Sequence, residues 1–316
     1  MKRFLLKGAG FIGIVMAVFV LAFLLPPTPR SMKSMFFGEL HKNALLKDTP
    51  SPRIILVGGS NVNFGMNSQL IKDALNLNPI NTAVHAGFGM KYMFDNTLPY
   101  IKEGDIIVVI QEYDQFWGNT AYGSKSLLKV IADVHRGKNI GLLGWQQIRN
   151  IAPYIGQYAM QKYSIVEYVT YGIRPMYREN SFNEYGDTYI HWTASSPGSG
   201  PVHEPRRTYN PKIMDMLKMF EERMRQKGAT VFISYPGLQD ISFNRIENEI
   251  ANIEQEYVNY GFAILGTPQR YIMDNSLIFD TPYHLNKKGA DRRTQLLIED
   301  LENALRTNTA NNKQRE

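Results

Sequence analysis

The sequence predicts an α/β fold in which a doubly wound, mostly parallel sheet follows an N-terminal transmembrane helix. Apolar runs at residues 54–57 and 106–110 are typical of strands whose two faces are both covered. Helical patterns alternate with these runs along the 316-residue chain, which indicates parallel strands joined by crossover helices. The third observation is an uncharged stretch at 8–29, which is long enough to cross a membrane.

The uncharged stretch predicts an anchor that is retained in the mature protein. Residues 8–25 would form roughly 27 Å of helix, close to the thickness of a bilayer core of about 30 Å. A cleavable signal peptide is the first alternative, but no Ala-x-Ala site follows Leu25. A buried helix of a soluble protein is the second alternative, which the length and the flanking residues disfavour. We therefore expect an anchor over 1–30.

The residues around the anchor predict its orientation. Lys2, Arg3 and Lys7 precede the apolar stretch and favour a cytoplasmic N-terminus, although Arg30 and Lys33 follow it and weaken the bias. The short leading tail also favours an exported body, so we expect that body in the periplasm or elsewhere outside the cytoplasmic membrane. The prolines after the anchor should end its helix and begin a stiff linker over residues 31–52.

The body is predicted to form one α/β domain over residues 53–306, followed by a flexible tail at 307–316. Strands are expected at 54–57, 82–84, 106–110, 230–234 and 262–265. Helices are expected at 68–75, 90–101, 211–227, 243–259 and 287–305. This order predicts a three-layer, flavodoxin-like arrangement with helices on both faces of the sheet.

A long insertion interrupts the alternation after strand three, at residues 117–210. Helices are expected around 124–135 and 145–170, whereas 179–209 is rich in Tyr, Ser, Gly and Pro without clear periodicity. A separate domain is one interpretation. A lid over the strand ends is favoured, because ligands of open α/β sheets bind at the carboxyl ends of the strands.

Composition and charge exclude several classes of function. Residues 1–47 hold seven of the 35 Lys and Arg and one of the 29 acidic residues, so the rest has 28 basic and 28 acidic side chains. A neutral body predicts no nucleic-acid partner. The chain has no cysteine, which excludes disulfides, thiolate zinc sites and a cysteine nucleophile. No histidine has metal-ligand spacing, so neither a metal nor a cofactor is predicted.

A glycine-rich turn after the first strand presents the first candidate catalytic residue, Ser60. Gly58 and Gly59 allow a sharp turn that leaves the serine hydroxyl at the carboxyl edge of the sheet. A phosphate-binding loop is excluded by its spacing and by the absence of a Lys-Ser/Thr pair. A structural alternative remains at this point, in which Ser60 only caps a helix.

The second candidate group lies before the last helix, where Asp280 and His284 are predicted to share a tight loop. Pro282 biases the preceding residue away from helix, and Asn286 is expected to cap the helix that follows. A carboxylate beside a histidine can fix the imidazole tautomer that a serine nucleophile requires. The alternative is a polar loop with an exposed histidine.

With these segments in place, the chain resembles the SGNH/GDSL hydrolase superfamily over about residues 53–306. The resemblance is carried by Gly59-Ser60 after strand one, Gly87 or Gly89 after strand two, and the terminal Asp280 and His284. It implies that Ser60 is the nucleophile, His284 the general base and Asp280 its orienting acid. The implied oxyanion donors are the amides of Ser60 and Gly87, with Gln111 as a substitute donor. Residues implied to contact substrate are Asn61, His85 and Tyr113.

The membrane-anchored form with an insertion looks like the envelope branch that includes D-alanylation transfer and alginate O-acetylation proteins. This implies a serine esterase or O-acyltransferase that acts on a cell-surface polysaccharide or other acylated glycan. It also implies a membrane-bound O-acyltransferase as a partner. The sequence departs from the family in three ways. Gly59 replaces an aspartate, and three residues separate Asp280 from His284 where two are usual. The Gly-x-Asn block after strand three is absent. A catalytically inactive, glycan-binding envelope protein is therefore the alternative, and a soluble nucleotide-binding protein is disfavoured.

Overall fold

The structure, a computed structural model, describes residues 1–169, 172–205 and 207–313, with side chains as far as residue 307. The strands are β1 (Arg53–Gly58), β2 (Asn78–Asn81), β3 (Ile106–Ile110), β4 (Thr230–Ser234), β5 (Leu238–Gln239), β6 (Ile264–Leu265) and β7 (Ile272–Met273). The helices are α1 (Lys2–Leu24), α2 (Pro29–Met32), α3 (Gly38–Asp48), α4 (Ser60–Asn63), α5 (Ser68–Leu75), α6 (Met90–Thr97), α7 (Lys125–Lys129), α8 (Trp145–Ile151), α9 (Ile155–Lys162), α10 (Val166–Val169), α11 (Lys212–Gln226), α12 (Asp240–Arg245), α13 (Glu247–Asn259) and α14 (Lys287–Lys313).

The central sheet has five parallel strands in the order β2-β1-β3-β4-β6, and β5 pairs with β7 in a separate small sheet. Both faces of the central sheet are buried. Along β1, Ile55 and Val57 face one apolar layer while Ile54 and Leu56 face the other. This burial explains why β1 and β3 have continuous apolar runs. The predicted α/β class and mostly parallel sheet are confirmed.

Several predicted elements agree with the structure, and one strand is displaced. The bounds predicted for β3, β4 and α5 match those observed, and β1 is one residue longer at each end. The second strand was expected at 82–84 but lies at Asn78–Asn81, where it pairs with β1. Ala83 and Val84 are buried, so their apolar character reflects packing outside the sheet.

The predicted linker at 31–52 folds onto the body, which differs from the stiff spacer that the prolines suggested. Helix α3 lies in this segment, and its Leu46 joins the apolar core. Two of its charged side chains are also buried with partners: Tyr92 donates to Glu39 over 2.6 Å, and Lys42 donates to Asn63 over 3.0 Å. Because charged residues occupy these buried positions, the hydrophobic pattern of the sequence does not show that α3 packs against the body.

The insertion leaves and rejoins the sheet at one point, where Trp117 and Tyr209 form an antiparallel bridge. It contains α7 to α10, and its later part is largely irregular, as predicted. The last helix continues to Lys313, so the tail predicted to be flexible at 307–316 begins within a helix. Its residues 314–316 lie outside the described residues.

In the described part of the chain, one helix is long and apolar enough to cross a membrane, and it lies at the N-terminus. Its most apolar window is only 6% buried within the protein. The apolar side chains of this helix are therefore largely not packed against the body and could face lipid.

Candidate active site

The candidate site lies at the carboxyl ends of β1 and β3, where the turn after Gly58 leads into α4 at Ser60. A side chain at position 58 would bring its Cβ within 2.3 Å of the Ile110 carbonyl oxygen, so only glycine fits between the two strands. The glycine turn that the sequence predicted is therefore needed for close strand packing. It places a partly exposed Ser60 at the edge of the sheet.

Ser60 contacts a carboxylate that the sequence did not assign to the site. Its hydroxyl donates to Oε1 of Glu112 over 2.9 Å, and the Asn61 amide donates to the same oxygen over 3.0 Å. The strand register explains the contact: Gly58 pairs with Ile110, so the residues two positions further along also lie opposite each other. A contact of this kind depends on the register of β1 and β3, which the sequence pattern after β3 does not show.

The carboxyl of Glu112 is buried, and burial raises its pKa. The charge of His284 and the hydrogen bonds from Asn61 and Ser60 act in the opposite direction without cancelling that effect. The protonated form of Glu112 is therefore favoured relative to an exposed glutamate.

Asp280 and His284 meet in the loop before α14, where Nδ1 of His284 lies 2.8 Å from Oδ1 of Asp280. Tyr177, from the insertion, donates to Oδ2 of Asp280 over 2.6 Å. Burial alone would raise the pKa of Asp280, but the hydrogen bonds from His284 and Tyr177 outweigh burial and lower it. An ionised Asp280 accepts the Nδ1 proton of His284, which leaves Nε2 as the acceptor nitrogen.

The imidazole of His284 is held against the segment that contains Ser60. Its ring stacks on Phe64, four residues beyond Ser60, with centroids 4.3 Å apart and planes inclined by 11°. Nε2 of His191 lies 2.8 Å from the carbonyl oxygen of Leu285, the residue that follows His284. The Asn286 side chain accepts from the Gly289 amide over 3.1 Å and caps α14, as predicted. Packing and hydrogen bonds therefore fix the loop on both sides of His284.

The loop after β2 approaches the same site but does not leave its predicted amide free. The Gly87 amide donates to Nδ1 of His85 over 2.9 Å, so its implied role as an oxyanion donor is not met in this conformation. Burial lowers the pKa of His85 to about 4, and the charges of His284 and Lys125 contribute in the same direction. A neutral His85 is what an accepting Nδ1 requires.

Two residues implied to contact substrate, Asn61 and Tyr113, have surroundings within the protein that differ from an open substrate site. Asn61 uses its side chain within the protein, accepting from the Gly59 amide and donating to the Ile110 carbonyl. Tyr113 is buried in the apolar core beside Tyr257, so it is not placed to contact a substrate.

Gln111 also differs from its implied role as a donor. Its side-chain amide is buried, and neither polar atom has a hydrogen-bond partner among the described residues. Successive side chains of an extended chain point in opposite directions, so Gln111 points away from Ser60 because Glu112 points toward it.

Two further supporting residues come from the insertion, whose contacts the sequence did not indicate. Tyr177 contacts Asp280, and His191 contacts the loop of His284. Both lie about a hundred residues before their partners in the chain, so no local pattern in the sequence links them to the loop of His284. The aromatic richness of the insertion is the only hint that the sequence offered.

A cavity of about 300 Å³ borders the site. It is lined by His85 and Tyr177 on one side and by residues close to the N-terminal helix on the other. The latter include Arg30, Ser34, Phe36 and Lys129. The cavity therefore joins His85 and Tyr177, which adjoin the candidate catalytic groups, to the segment that follows α1.

The arrangement holds an imidazole, oriented by a carboxylate, against the segment that contains Ser60, whose hydroxyl donates to Glu112. Among the described residues, no group of three or more His, Asp or Glu side chains is arranged to hold a metal ion. No protein-family model matches the chain, and a search of curated proteins also found no match. The geometry of the site is therefore the basis for any functional argument.

Proposed function

We propose that this protein is a membrane-anchored serine esterase or O-acyltransferase of the SGNH type, acting on acyl esters of a cell-surface glycan. The observation that carries the proposal is the His284–Asp280 pair, aligned at 2.8 Å and stacked against the segment that begins with Ser60. An imidazole oriented by a carboxylate near a partly exposed serine is the arrangement that acyl transfer by a serine nucleophile uses. The body would lie outside the cytoplasmic membrane, with α1 as its anchor.

In the proposed reaction, Ser60 attacks the carbonyl carbon of the acyl ester while Nε2 of His284 takes the hydroxyl proton. The tetrahedral intermediate collapses, the ester bond breaks, and His284 returns the proton to the leaving alcohol. Water or a sugar hydroxyl then attacks the acyl-serine, again losing its proton to His284. The bond between the acyl group and Ser60 breaks, and His284 returns that proton to the Ser60 oxygen. The first acceptor completes hydrolysis and the second completes transfer, so both reactions use the same residues.

The hydrogen bond from Ser60 to Glu112 must break before the serine can give its proton to His284. An ionised Glu112 would also repel the negative charge that develops next to Ser60 in the intermediate. The raised pKa of Glu112 favours its protonated form, which removes that repulsion. Glycine at position 59 fits the same picture, since a Cβ there would lie 3.1 Å from Oε1 of Glu112 and the family's aspartate would add a second carboxylate.

The position of the cavity supports a substrate that is presented at the membrane surface. Arg30 and Ser31, which follow α1 after a short turn, line the same cavity as His85 and Tyr177. An acylated glycan held near the membrane would reach the site from this side. A membrane-bound O-acyltransferase is the partner that we propose as the source of acyl groups, by resemblance to the envelope proteins.

A catalytically inactive glycan-binding protein is the second candidate function. Two observations favour it: the Ser60 hydroxyl donates to Glu112, and the Gly87 amide is occupied by His85. Both groups would have to change partners for the reaction to proceed. The two candidates therefore differ in whether Ser60 can become an active nucleophile.

Labelling of the full-length protein with a fluorophosphonate, followed by mass spectrometry, separates the two candidates. The active enzyme should carry one adduct on Ser60, and Ser60→Ala should carry none. Ser196→Ala is the matched control, because Ser196 is an exposed serine of the insertion. A protein that stays unlabelled at Ser60 under conditions that label a reference serine esterase would be assigned to the glycan-binding candidate.

A further inference from the structure

Residues 155–169 of the insertion, which we call the collar, bury polar side chains and expose apolar ones. Lys162 is 3% exposed and Glu167 is 7% exposed, whereas Ile165 and Val169 are 75% and 67% exposed. A surface helix of a soluble protein has the opposite arrangement, with its apolar stripe toward the core. The collar is therefore built for surroundings less polar than water.

The buried polar groups of the collar are fully used in contacts with the rest of the protein. Lys162 forms an ion pair with Asp133 over 2.6 Å and donates to the Pro26 carbonyl over 3.1 Å. Glu167 accepts from the Thr28 hydroxyl over 2.9 Å. These bonds fix the collar to the turn at the end of α1. Because buried charges are costly to leave unpaired, the collar cannot easily rotate to hide its apolar side chains.

The exposed side chains of the collar form the rest of its surface. They are the polar Gln157 and the aliphatic or aromatic Ile155, Met160, Tyr163, Ile165, Val166, Tyr168 and Val169. Tyrosines among aliphatic residues are typical of segments at the boundary between headgroups and acyl chains. A contiguous apolar surface of this kind marks an interaction site.

The collar is continuous with the N-terminal helix. The Tyr163 hydroxyl donates to the Val18 carbonyl over 2.7 Å, and the rings of Tyr158 and Phe23 are 5.0 Å apart. Val18 lies six residues before the end of α1 at Leu24, which is roughly 9 Å along the helix. One leaflet of the hydrocarbon core is about 15 Å deep. A collar that contacts α1 at this depth is within reach of the same leaflet.

We infer that the collar is a second membrane contact, lying in the interface of the leaflet from which α1 emerges. Ile165, Val166 and Val169 would enter the acyl boundary. Tyr163 and Tyr168 would lie beside them, with their hydroxyls bonded to the Val18 and Lys162 carbonyls. A body attached by a single helix can rotate relative to the membrane, whereas a second contact fixes its orientation. This inference rests on the anchor of the proposed function, but it does not depend on acyl chemistry.

The absence of native cysteines allows a direct test with single-cysteine variants of the full-length chain. The variants are Ile165→Cys and Val169→Cys in the collar, Leu21→Cys in α1, and Val258→Cys as an exposed apolar control on α13. Helix α13 packs beside β6, at the opposite edge of the sheet from β2. Each variant carries an environment-sensitive fluorophore and is reconstituted in vesicles of phosphatidylethanolamine and phosphatidylglycerol.

Two quenchers then report the surroundings of each label: aqueous iodide and a nitroxide on the lipid acyl chain. We expect labels at 165 and 169 to behave like the label at 21, with severalfold stronger nitroxide quenching and severalfold weaker iodide quenching than the label at 258. Iodide quenching at 165 and 169 equal to that at 258, with 21 still in lipid, overturns the second contact and leaves the anchor standing.

Two other outcomes also count against the inference. If the label at 21 is itself quenched by iodide, the anchor is wrong and the collar contact fails with it. If neither quencher reaches 165 and 169, a protein covers the collar, and the lipid assignment is replaced by a protein interface. Every variant must elute like the parent protein in size-exclusion chromatography before its quenching is compared.

Discussion

The two halves of the candidate active site are assembled to different degrees. In the base half, His284 is held by Asp280, by the ring of Phe64 and by a loop whose ends are hydrogen-bonded. In the nucleophile half, the Ser60 hydroxyl is bonded to Glu112, which is not part of a hydrolase triad. The difference teaches that, in the proposed reaction, the imidazole is preorganised, whereas the serine would have to exchange a hydrogen bond first.

The largest effect on activity is expected from removing the side chain of Ser60 or of His284. Ser60→Ala and His284→Ala should each lower turnover of an acyl ester on the order of 10⁴- to 10⁶-fold, because members of a triad act as a unit. The measurement is release of a chromogenic alcohol from a model ester by the full-length protein in detergent. If Ser60→Ala retained the parent rate, the nucleophile half would have no catalytic role.

The next largest effect is expected from Asp280→Asn, which keeps the shape of the side chain but not its charge. The amide can donate to Nδ1 and so favour the wrong imidazole tautomer, with a loss on the order of 10⁴-fold in kcat. Asp274→Asn is the matched control, since that carboxylate accepts only local bonds in an exposed turn. Equal rates for the two variants would contradict the role of the base half.

A smaller effect is expected from Tyr177→Phe, which removes one hydrogen bond to Asp280. A hydrogen bond to a charged group contributes about 1.5 to 3 kcal/mol, so kcat/KM should fall roughly tenfold to a hundredfold. Tyr185→Phe is the control, because its hydroxyl contacts Gln69 at the exposed surface. A Tyr177→Phe protein with unchanged kcat/KM would show that the insertion does not support the base.

The smallest effect is expected from Glu112→Gln, and it concerns stability rather than rate. The pKa of Glu112 is raised in the folded protein, so the folded state holds its proton to higher pH than the unfolded state does. The stability associated with that proton is fully present below the unfolded pKa and is lost as pH rises through the folded pKa.

Thermal unfolding of the full-length protein in detergent, measured at several pH values, tests this sign. The Tm of Glu112→Gln relative to the parent should rise as pH increases from below 4.5, the ordinary pKa of a glutamate, toward neutrality. The control is Glu184→Gln, a change at an exposed glutamate of the insertion. A relative Tm that is constant or falls with pH would contradict a raised pKa for Glu112.

Strand-level features were predictable where burial on both faces leaves a continuous apolar signal. This holds for β3 and β4, and the turn at Ser60 followed from the glycines after β1. The packing of α3 was not predictable, because Glu39 and Lys42 are buried as hydrogen-bonded charges and interrupt the apolar pattern. Such residues are normally exposed, so their burial depends on partners that only the fold supplies.

By itself, the sequence determined the alternation of strands and helices, the apolar N-terminal helix, and the segments that bring Ser60, Asp280 and His284 to loops near strand ends. The tertiary structure decided the partners of those side chains. It placed Glu112 rather than Gln111 beside Ser60, and it brought Tyr177 to Asp280 from the insertion. The physical reason is that local patterns depend on neighbouring residues, whereas a hydrogen bond between distant residues depends on strand register and loop closure.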